Sequence, residues 1–196
     1  IGGVQIQASG TIGGNLCTAS PAGDSIPCLM TLNAEIELAS RHGARRLPLN
    51  EFLTGPRQTA CAPDELVTAV YVPSDAEMGV GGFEKLGARR YLVISIAMTA
   101  ARLSIADGRI GDAAISVGAC APVAVRLTEL EAGLRGMAYD MAGDFIRDSR
   151  SGIMAALSPI DDVRGTAGYR RDAAAEIVAR LVERLCGEFG LSLIHI

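Results

Sequence analysis

The sequence predicts an α+β fold in which antiparallel strands are followed by helices, and three observations support this class. Residues 35–39 and 65–72 alternate apolar with polar side chains, which is the pattern of half-buried strands. Asp107-Gly108 separates two longer alternating segments and is a typical hairpin turn. Residues 169–189 repeat apolar side chains at helical spacing. Strands followed by helices, without a regular strand–helix repeat, are characteristic of α+β proteins.

The first part of the chain combines a loop, a helix and short strands. Residues 1–19 are rich in glycine, serine and threonine and predict a loop with a short strand. Residues 21–34 carry an apolar stripe after a proline, which predicts a helix. Strands are expected at residues 35–39 and 45–49, and the second leads into a short helical turn capped by Asn50.

The second part of the chain predicts a hairpin followed by helices. A segment rich in glycine and poor in apolar residues marks a boundary near Gly79. Beyond it we expect strands at residues 83–86, 92–105 and 110–118, a helix ending at residue 134, and helices at residues 141–157 and 169–189.

Composition and charge exclude several classes of function. Hydrophobic residues make up 49% and charged residues 20% of the 196 residues, which favours a packed core over disorder. The net charge of −4, with Lys85 as the only lysine, argues against nucleic acid as a partner because phosphate binding needs a basic surface. The apolar runs are too short to predict a membrane span.

Cysteine and histidine usage gives little support to a metal site or a nucleophilic triad. The five cysteines include no Cys-x-x-Cys pair, and we expect them to be free thiols. The two histidines, His42 and His195, are too few for a histidine-rich metal site. Any redox chemistry must therefore come from a bound cofactor.

A glycine pair near the start of the chain is the first candidate binding motif. Thr11-Ile12-Gly13-Gly14-Asn15 combines two residues that let a ligand approach the backbone closely with two polar side chains. The same pair can also be an ordinary turn. The residues alone leave both interpretations open.

Asp24 is the second candidate. It precedes the predicted helix, where either Ser20 or Asp24 could cap the first turn. Alternatively, the Asp24 carboxylate could accept a hydrogen bond from a ligand hydroxyl. From the residues alone, capping is the favoured interpretation.

Four segments in order resemble a known family. Residues 1–27 read I-G-x-x-Q-I-x-x-x-G-T-I-G-G-N-L-x-x-A-S-P-x-x-D-x-x-P and resemble the second FAD-binding segment of molybdenum hydroxylase flavoprotein subunits, the xanthine dehydrogenase and carbon monoxide dehydrogenase family. Residues 64–67 resemble the family's D-E-L-L strand, and residues 83–90 its F-x-K-x-x-x-R-R stretch. Residues 161–171 resemble its D-D-x-R-G-S-A-x-Y-R-R signature.

The resemblance implies an FAD site without catalytic or metal-ligating side chains. It places the glycine segment along the FAD phosphates and ribityl chain, the aspartate at the cofactor, the apolar strand against the flavin and the lysine near the isoalloxazine ring. The cofactor-binding residues implied in this way are Thr11, Ile12, Gly13, Gly14, Asn15, Asp24, Leu66, Val67 and Lys85. For residues 161–171 we expect a structural role, in which they cap the last helix and pair arginines with aspartates.

The resemblance also implies a domain organisation. Residues 1–78 are expected to be the C-terminal part of a PCMH-type FAD-binding domain. Residues 79–190 are expected to be a carbon monoxide dehydrogenase flavoprotein C-terminal-like domain, with an antiparallel three-stranded sheet and helices. Residues 191–196 resemble a translated transposon end and are expected to be a non-native tail. Because the family has an earlier glycine-rich loop upstream, we expect an N-terminally truncated fragment that lacks part of the FAD site and is inactive alone.

The implied function is electron transfer in a bacterial, cytoplasmic oxidoreductase. Electrons would pass from [2Fe–2S] clusters of a small subunit through FAD to an external acceptor, and molybdopterin would lie in a molybdenum-binding large subunit. Two alternatives stay open: a flavin-free interaction or assembly module of the same fold, and a stand-alone PCMH-type flavin oxidoreductase.

Overall fold

Two main antiparallel sheets with helices packed against them form the fold. The computed structural model describes residues 3–90 and 92–194, and for residues 190–194 it describes the backbone alone. His195, one of the two histidines discussed above, lies outside the described residues. The α+β class predicted from the sequence is confirmed.

The first half of the chain begins with three short helices and continues as a three-stranded sheet. The sheet has the order β2-β1-β5, and a separate two-stranded ribbon pairs β3 with β4. The elements are α1 (Val4–Ser9), α2 (Ile12–Thr18), α3 (Ser25–Thr31), β1 (Glu35–Ser40), β2 (Gly43–Pro48), α4 (Leu49–Phe52), β3 (Leu53–Gly55), β4 (Gln58–Thr59) and β5 (Leu66–Tyr71).

The second half is a sheet of order β6-β7-β8-β9 followed by helices. It has the three strands expected from the sequence, of which the first is longer than predicted, and a two-residue fourth strand at one edge. The elements are β6 (Val80–Leu86), β7 (Ala97–Ala106), β8 (Arg109–Gly118), β9 (Val125–Arg126), α5 (Thr128–Leu134), α6 (Ala142–Asp148), α7 (Arg150–Ala155) and α8 (Ala167–Ile194).

Two hydrophobic clusters stabilise these halves. In the first, Leu16 of α2 and Ile36 of β1 are completely buried together with Phe52. In the second, Ile115 of β8 packs in one cluster with Leu181 of α8. Side chains of this size, removed fully from water, each contribute roughly 1.5–3 kcal/mol of hydrophobic stabilisation.

Helix α3 connects the two halves. Its C-terminal carbonyl groups accept hydrogen bonds from two arginines of the second sheet: Arg126 Nη1 binds the Met30 oxygen at 2.6 Å, and Arg102 Nε binds the Thr31 oxygen at 3.2 Å. Guanidinium groups at this end also complement the negative end of the helix dipole. The N-terminal end of α3, which carries Asp24, is thereby held at a fixed position on the second sheet.

Most predicted strands and the hairpin turn are confirmed. The turn between β7 and β8 lies at Asp107 and Gly108, whose φ angles of 51° and 74° are both left-handed. A two-residue hairpin turn of type I′ requires left-handed φ angles at both of its central residues. Aspartate followed by glycine adopts these angles readily.

The prediction of a loop and short strand for residues 1–19 is wrong. Its described part, residues 3–19, forms α1 and α2. Thr11 begins α2 because its hydroxyl accepts a hydrogen bond from the Gly14 amide at 2.9 Å, and the burial of Leu16 stabilises the helix further. A cap and one buried leucine thus outweigh the low helix propensity of the two glycines.

Other element boundaries also differ from the predictions, and the helix predicted over residues 21–34 is confined to α3, Ser25–Thr31. Strand β7 begins at Ala97 and not at Leu92, because Ala97 pairs with Leu86, the last residue of the neighbouring strand. The helix predicted over residues 141–157 is divided into α6 and α7 at Ser149, whose ψ of 5° departs from helical geometry. Helix α4 begins at Leu49 without a side-chain cap, so the predicted capping role of Asn50 is wrong.

The five cysteines are free, as expected, and Cys120 and Cys186 are buried. Burial raises the pKa of both of these thiols to about 11. None of the helices among the described residues combines the length and apolar character that a membrane crossing needs.

Candidate functional site

The first turn of α2 carries the glycine motif. Thr11 caps the helix, and the Thr18 hydroxyl donates to the Gly14 carbonyl oxygen at 2.8 Å. Side-chain hydrogen bonds therefore hold both ends of α2. Ile12 is 56% exposed, and Gly13 follows it without a side chain. The turn therefore offers backbone and one apolar side chain to a ligand.

The glycine motif lies against the apolar strand that was predicted to contact the flavin. A Cβ atom added to Gly13 would be 3.9 Å from Val67 Cγ1, which is an ordinary van der Waals contact. Leu66, the first residue of β5, is 74% exposed. The structure thus brings together two predicted segments that are about fifty residues apart in the chain.

Asn15 connects α2 to the loop before α3. Its side-chain oxygen accepts a hydrogen bond from the Ser25 hydroxyl at 2.5 Å. Gly23 permits this close approach, because a Cβ atom there would be 2.8 Å from Ile26 Cδ1 and 3.3 Å from Asn15 Oδ1. Asn15 therefore binds Ser25, the residue after Asp24, in addition to lying in the predicted binding motif.

A carboxylate, a lysine and a serine form the polar centre of the site. The Asp24 residue is 7% exposed, and its Oδ2 accepts a hydrogen bond from Lys85 Nζ at 2.6 Å. Its Oδ1 accepts from the Ser95 hydroxyl at 2.7 Å. Ser95 is 1% exposed, whereas the Lys85 side chain is 26% exposed. A carboxylate with so little contact with water needs such partners, and Lys85 is the member of the group that reaches the surface.

The favoured interpretation of Asp24 as a helix cap is wrong. Asp24 occupies the position before α3, but its φ and ψ of −64° and −27° are already helical and its side chain makes no capping hydrogen bond. The alternative cap, Ser20, accepts a hydrogen bond from the Ala22 amide and closes a local turn. The carboxylate is instead directed to Lys85 and Ser95, which belong to the second half of the chain.

Sequence reasoning did not identify Ser95. It lies in the segment between β6 and β7, where the continued alternation predicted an ordinary strand residue. Its partner Asp24 is 71 positions away, and the local sequence does not indicate that contact. The only available signal was a small polar residue between Ile94 and Ile96, at a position where a buried strand face would carry an apolar side chain.

The charge at the site comes from the Asp24–Lys85 pair. Cys28 lies one turn along α3, and burial together with the negative charge of Asp24 raises the pKa of its thiol. This thiol is therefore neutral near pH 7 and adds no negative charge. Among the described residues, no group of three or more histidine, cysteine, aspartate or glutamate side chains could hold a metal ion.

A groove of about 650 Å³ lies elsewhere, between α5 and α7. Leu127, Phe145 and Ile153 are among its lining residues, and it includes none of the side chains that the sequence predicted to bind a cofactor. Its size alone gives no reason to prefer it over the polar centre around Asp24.

The signature of residues 161–171 has the structural role that was expected. Asp161 Oδ1 accepts a hydrogen bond from the Ala167 amide at the start of α8. Asp162 pairs with Arg164 and with the buried Arg170, whose Nη1 donates to the Ala119 carbonyl oxygen at 3.0 Å. The Arg164 amide and the Arg170 guanidinium lower the pKa of Asp162 to about 2.

Family comparisons agree with this arrangement. Residues 1–75 match the FAD binding domain in molybdopterin dehydrogenase, and residues 83–185 match the CO dehydrogenase flavoprotein C-terminal domain. The chain belongs to the FAD-binding subunits of the xanthine dehydrogenase and carbon monoxide dehydrogenase family. The family resemblance of the sequence is thereby confirmed. Asp24 lies in the first matched region, and both of its partners lie in the second.

Individual members of this family are similar over most of the chain. The nicotine 6-hydroxylase medium subunit of Paenarthrobacter nicotinovorans is 32% identical over 179 residues, covering 91% of this chain and 61% of that protein. The carbon monoxide dehydrogenase medium chain of Afipia carboxidovorans is 31% identical over 181 residues, covering 92% and 62%.

Solved structures show the same fold. Reconstituted CO dehydrogenase from Oligotropha carboxidovorans superposes with a TM-score of 0.84 at 32% identity, covering 95% of this chain and 64% of that chain. Carbon monoxide dehydrogenase from Hydrogenophaga pseudoflava gives a TM-score of 0.87 at 26% identity, covering 94% and 63%. This chain therefore spans less than two thirds of the length of these relatives.

Proposed function

We propose that this chain forms part of the FAD-binding electron-transfer subunit of a molybdenum hydroxylase. In this function, electrons from [2Fe–2S] clusters pass through FAD to an external acceptor. The observation that carries the proposal is the 2.6 Å Asp24–Lys85 pair, together with the hydrogen bond that Ser25, the neighbour of Asp24, donates to Asn15 of the glycine motif. A partly exposed cation that is linked to a motif with accessible backbone and an exposed apolar side chain suits a flavin better than it suits a purely structural role.

The described residues fit FAD as a ligand. Gly13 and Gly14 have no side chain of their own, so a phosphate or a ribityl chain can approach the backbone of α2. An added Cβ atom would be 3.9 Å from Val67 Cγ1 at Gly13 and 3.0 Å from Thr11 Oγ1 at Gly14. The exposed Leu66 and the neighbouring Val67 offer an apolar surface for a planar ring. Asp24 can accept hydrogen bonds from a ligand hydroxyl through its remaining lone pairs.

Each residue would support the cofactor by position and charge. FAD, when bound, supplies the chemistry of taking up and passing on electrons. Lys85 would stabilise negative charge on the reduced ring. Thr11 would hold the first turn of α2, and Asn15 would hold the loop that carries Asp24. Ile12 would shield the neighbouring backbone from water.

The partners that we propose are a molybdenum-binding large subunit, which would hold molybdopterin, and a small subunit with two [2Fe–2S] clusters. The relatives are named as medium subunits or medium chains, which supports such an assembly. A cytoplasmic location belongs to the same proposal. We also propose that residues 1–78 and 79–190 act as separate domains and that residues 191–196 are a non-native tail.

Two contacts in the structure support the flavin-binding function over the alternative of a flavin-free assembly module. A module that had lost FAD would not need a lysine held at the surface by a buried carboxylate. Here the ammonium group of Lys85 is bound by Asp24, and Asn15 of the glycine motif is hydrogen-bonded to Ser25, the residue after Asp24.

Titration of FAD into the full-length protein encoded by the gene that carries this sequence tests the proposal. We expect Asp24→Ala to raise the dissociation constant about tenfold or more, because it removes a charged hydrogen-bond acceptor and leaves Lys85 unpaired. Asp172→Ala is the control, since Asp172 pairs with Arg150 between α8 and α7 and neither residue contacts α3 in the described structure. It should change stability little and leave FAD affinity unchanged. Absence of FAD binding by the unaltered protein would refute the function, and equal affinities for both variants would refute the site.

A further inference from the structure

The Ser95 hydroxyl makes a second contact to the carboxylate that holds Lys85. Its oxygen lies 2.7 Å from Asp24 Oδ1, whereas Lys85 Nζ lies 2.6 Å from Oδ2. Each carboxylate oxygen thus has its own donor. Ser95 is 1% exposed, so a ligand at the surface would meet Lys85 and not the serine.

The segment between β6 and β7 is built to place Ser95 beneath the carboxylate. Leu92 adopts a left-handed φ of 52°, and its carbonyl oxygen accepts a hydrogen bond from Arg89 Nε at 3.2 Å. Val93 folds back over Gly87, where a Cβ atom would be only 2.4 Å from Val93 Cγ1. These contacts fix the backbone before Ser95, and the Ile96 amide, which donates to the Leu86 carbonyl oxygen at 2.8 Å, fixes it on the other side. The position of the serine therefore does not depend on Asp24 alone.

A carboxylate that is bound at only one oxygen can rotate about its Cβ–Cγ bond toward its cation. Binding of the second oxygen by a buried hydroxyl fixes the plane of the group and spreads its charge over two donors. The ammonium group of Lys85 is then held at one position while part of its positive charge stays available to a neighbour.

We propose that Ser95 is a positioning residue of the flavin site: through Asp24 it sets the position and the effective charge of Lys85. This inference rests on the proposed function and assigns a role to a residue outside the recognised motifs. Ser95 itself touches neither the ligand nor the reacting atoms.

The first experiment compares Ser95→Ala with Ser116→Ala in the full-length protein. Ser116 is also fully buried, in β8, and its hydroxyl has no hydrogen-bond partner among the described residues. Both variants remove one buried hydroxyl, but only Ser95→Ala removes a hydrogen bond to a carboxylate. We expect Ser95→Ala to raise the FAD dissociation constant about tenfold and to lower the flavin midpoint potential, with neither change in Ser116→Ala. Ser95→Cys, which is close in volume but a weak donor, should fall between the two.

A double-mutant cycle separates positioning from general stabilisation. If Ser95 acts through Asp24, adding Ser95→Ala to Asp24→Asn should change the dissociation constant by less than about twofold. Thermal unfolding of the four proteins without added FAD gives the structural contribution of each change.

The outcomes distinguish this inference from the proposed function. If the unaltered protein binds FAD and Ser95→Ala changes only the melting temperature, the positioning role is refuted and the function stands. A full additional loss of affinity in the Asp24→Asn background would refute the action through Asp24. If the unaltered protein binds no FAD, the function itself fails, and the inference fails with it.

Discussion

Two aspartates of this molecule, Asp24 and Asp162, each bind a cation, but the surroundings of the two pairs differ. Asp162 pairs with Arg170, which is 4% exposed and also donates to main-chain carbonyl groups. Asp24 pairs with Lys85, whose side chain is 26% exposed, and the serine is its other partner. The first cation is surrounded by protein, whereas the second has one side open to solvent.

This difference indicates what each pair does. A guanidinium presents several donors in a fixed plane and suits the closed site, where Arg170 also binds the Ala119 and Ile96 carbonyl oxygens. A lysine is a compact point charge on a flexible stem and suits an open site that must act on a ligand. We therefore expect changes at Asp162 and Arg170 to act on stability, and changes around Asp24 to act on the cofactor.

Arg170→Met should have the largest effect on stability. It leaves two buried carbonyl oxygens without their donor and removes one partner of Asp162, so we expect the free energy of unfolding to fall by about 3 kcal/mol. Chemical denaturation monitored by circular dichroism measures this change.

Arg164→Met is the matched control for this prediction. Arg164 binds the same Asp162, but its side chain is 37% exposed. An exposed pair contributes at most about 1 kcal/mol, so the free energy of unfolding should change little. If the two variants were equally stable, the closed pair around Arg170 would not be the stabilising contact that the structure indicates.

For both aspartates, the sequence identified most of the residues involved, but it did not predict all of the contacts between them. The structural role of residues 161–171 was predictable because its contacts are local, within ten residues of the start of α8. The three-part contact at Asp24 was not, because its partners lie 61 and 71 positions away. Local propensity favoured a helix cap at Asp24, but the tertiary contact with Lys85 determined its conformation.

The next prediction concerns the glycine motif of α2. Gly13→Val should weaken FAD binding about tenfold or more, because the valine side chain would occupy the space in which a ligand meets the backbone. Stability without the cofactor should change little, because a Cβ atom at Gly13 makes only an ordinary contact with Val67. Gly187→Val is the control, since Gly187 lies in α8 with nothing within 4 Å of an added Cβ atom. A Gly13→Val protein with unchanged flavin occupancy would show that α2 does not line the site.

Lys85→Ala should lower the flavin potential, and it should also lower stability because the buried Asp24 carboxylate loses its cation and keeps only the Ser95 hydroxyl. Loss of the cation removes stabilisation of the reduced ring, so we expect a lower midpoint potential in redox titration. Arg180→Ala removes a cation from an exposed pair with Glu176 on α8 and is the control. Identical potentials in Lys85→Ala and the unaltered protein would show that Lys85 is not near the ring.

Some strand segments were predicted correctly and others were not, and the difference has a physical reason. Ile36 and Leu38 of β1 are buried and alternate with partly exposed residues, so the sequence carries the strand signal directly. Residues 113–118 of β8 are buried on both faces, and their strand was identified by its position after the hairpin turn. Residues 92–96 continue the same alternation, but β6 ends at Leu86 and offers them no partner. Pairing partners are a property of the fold, and single-sequence periodicity does not contain them.

The smallest expected effect is the dependence of stability on pH, which the closed cluster should show. The pKa of Asp162 is lowered from 3.8 to about 2 in the folded protein, first by the Arg164 amide and then by Arg170. A lowered pKa means that the ionised carboxylate stabilises the folded state above about pH 4, and that this contribution is lost as the pH falls toward 2. Asp162→Asn should therefore show a shallower loss of unfolding free energy than the unaltered protein between about pH 5 and pH 2, as measured by urea denaturation at a series of pH values. Glu65 has its pKa lowered to about 2 by Arg45 and the Ala62 amide, so some acid dependence must persist in this variant. A slope identical to that of the unaltered protein would mean that Asp162 is not preferentially ionised in the folded state.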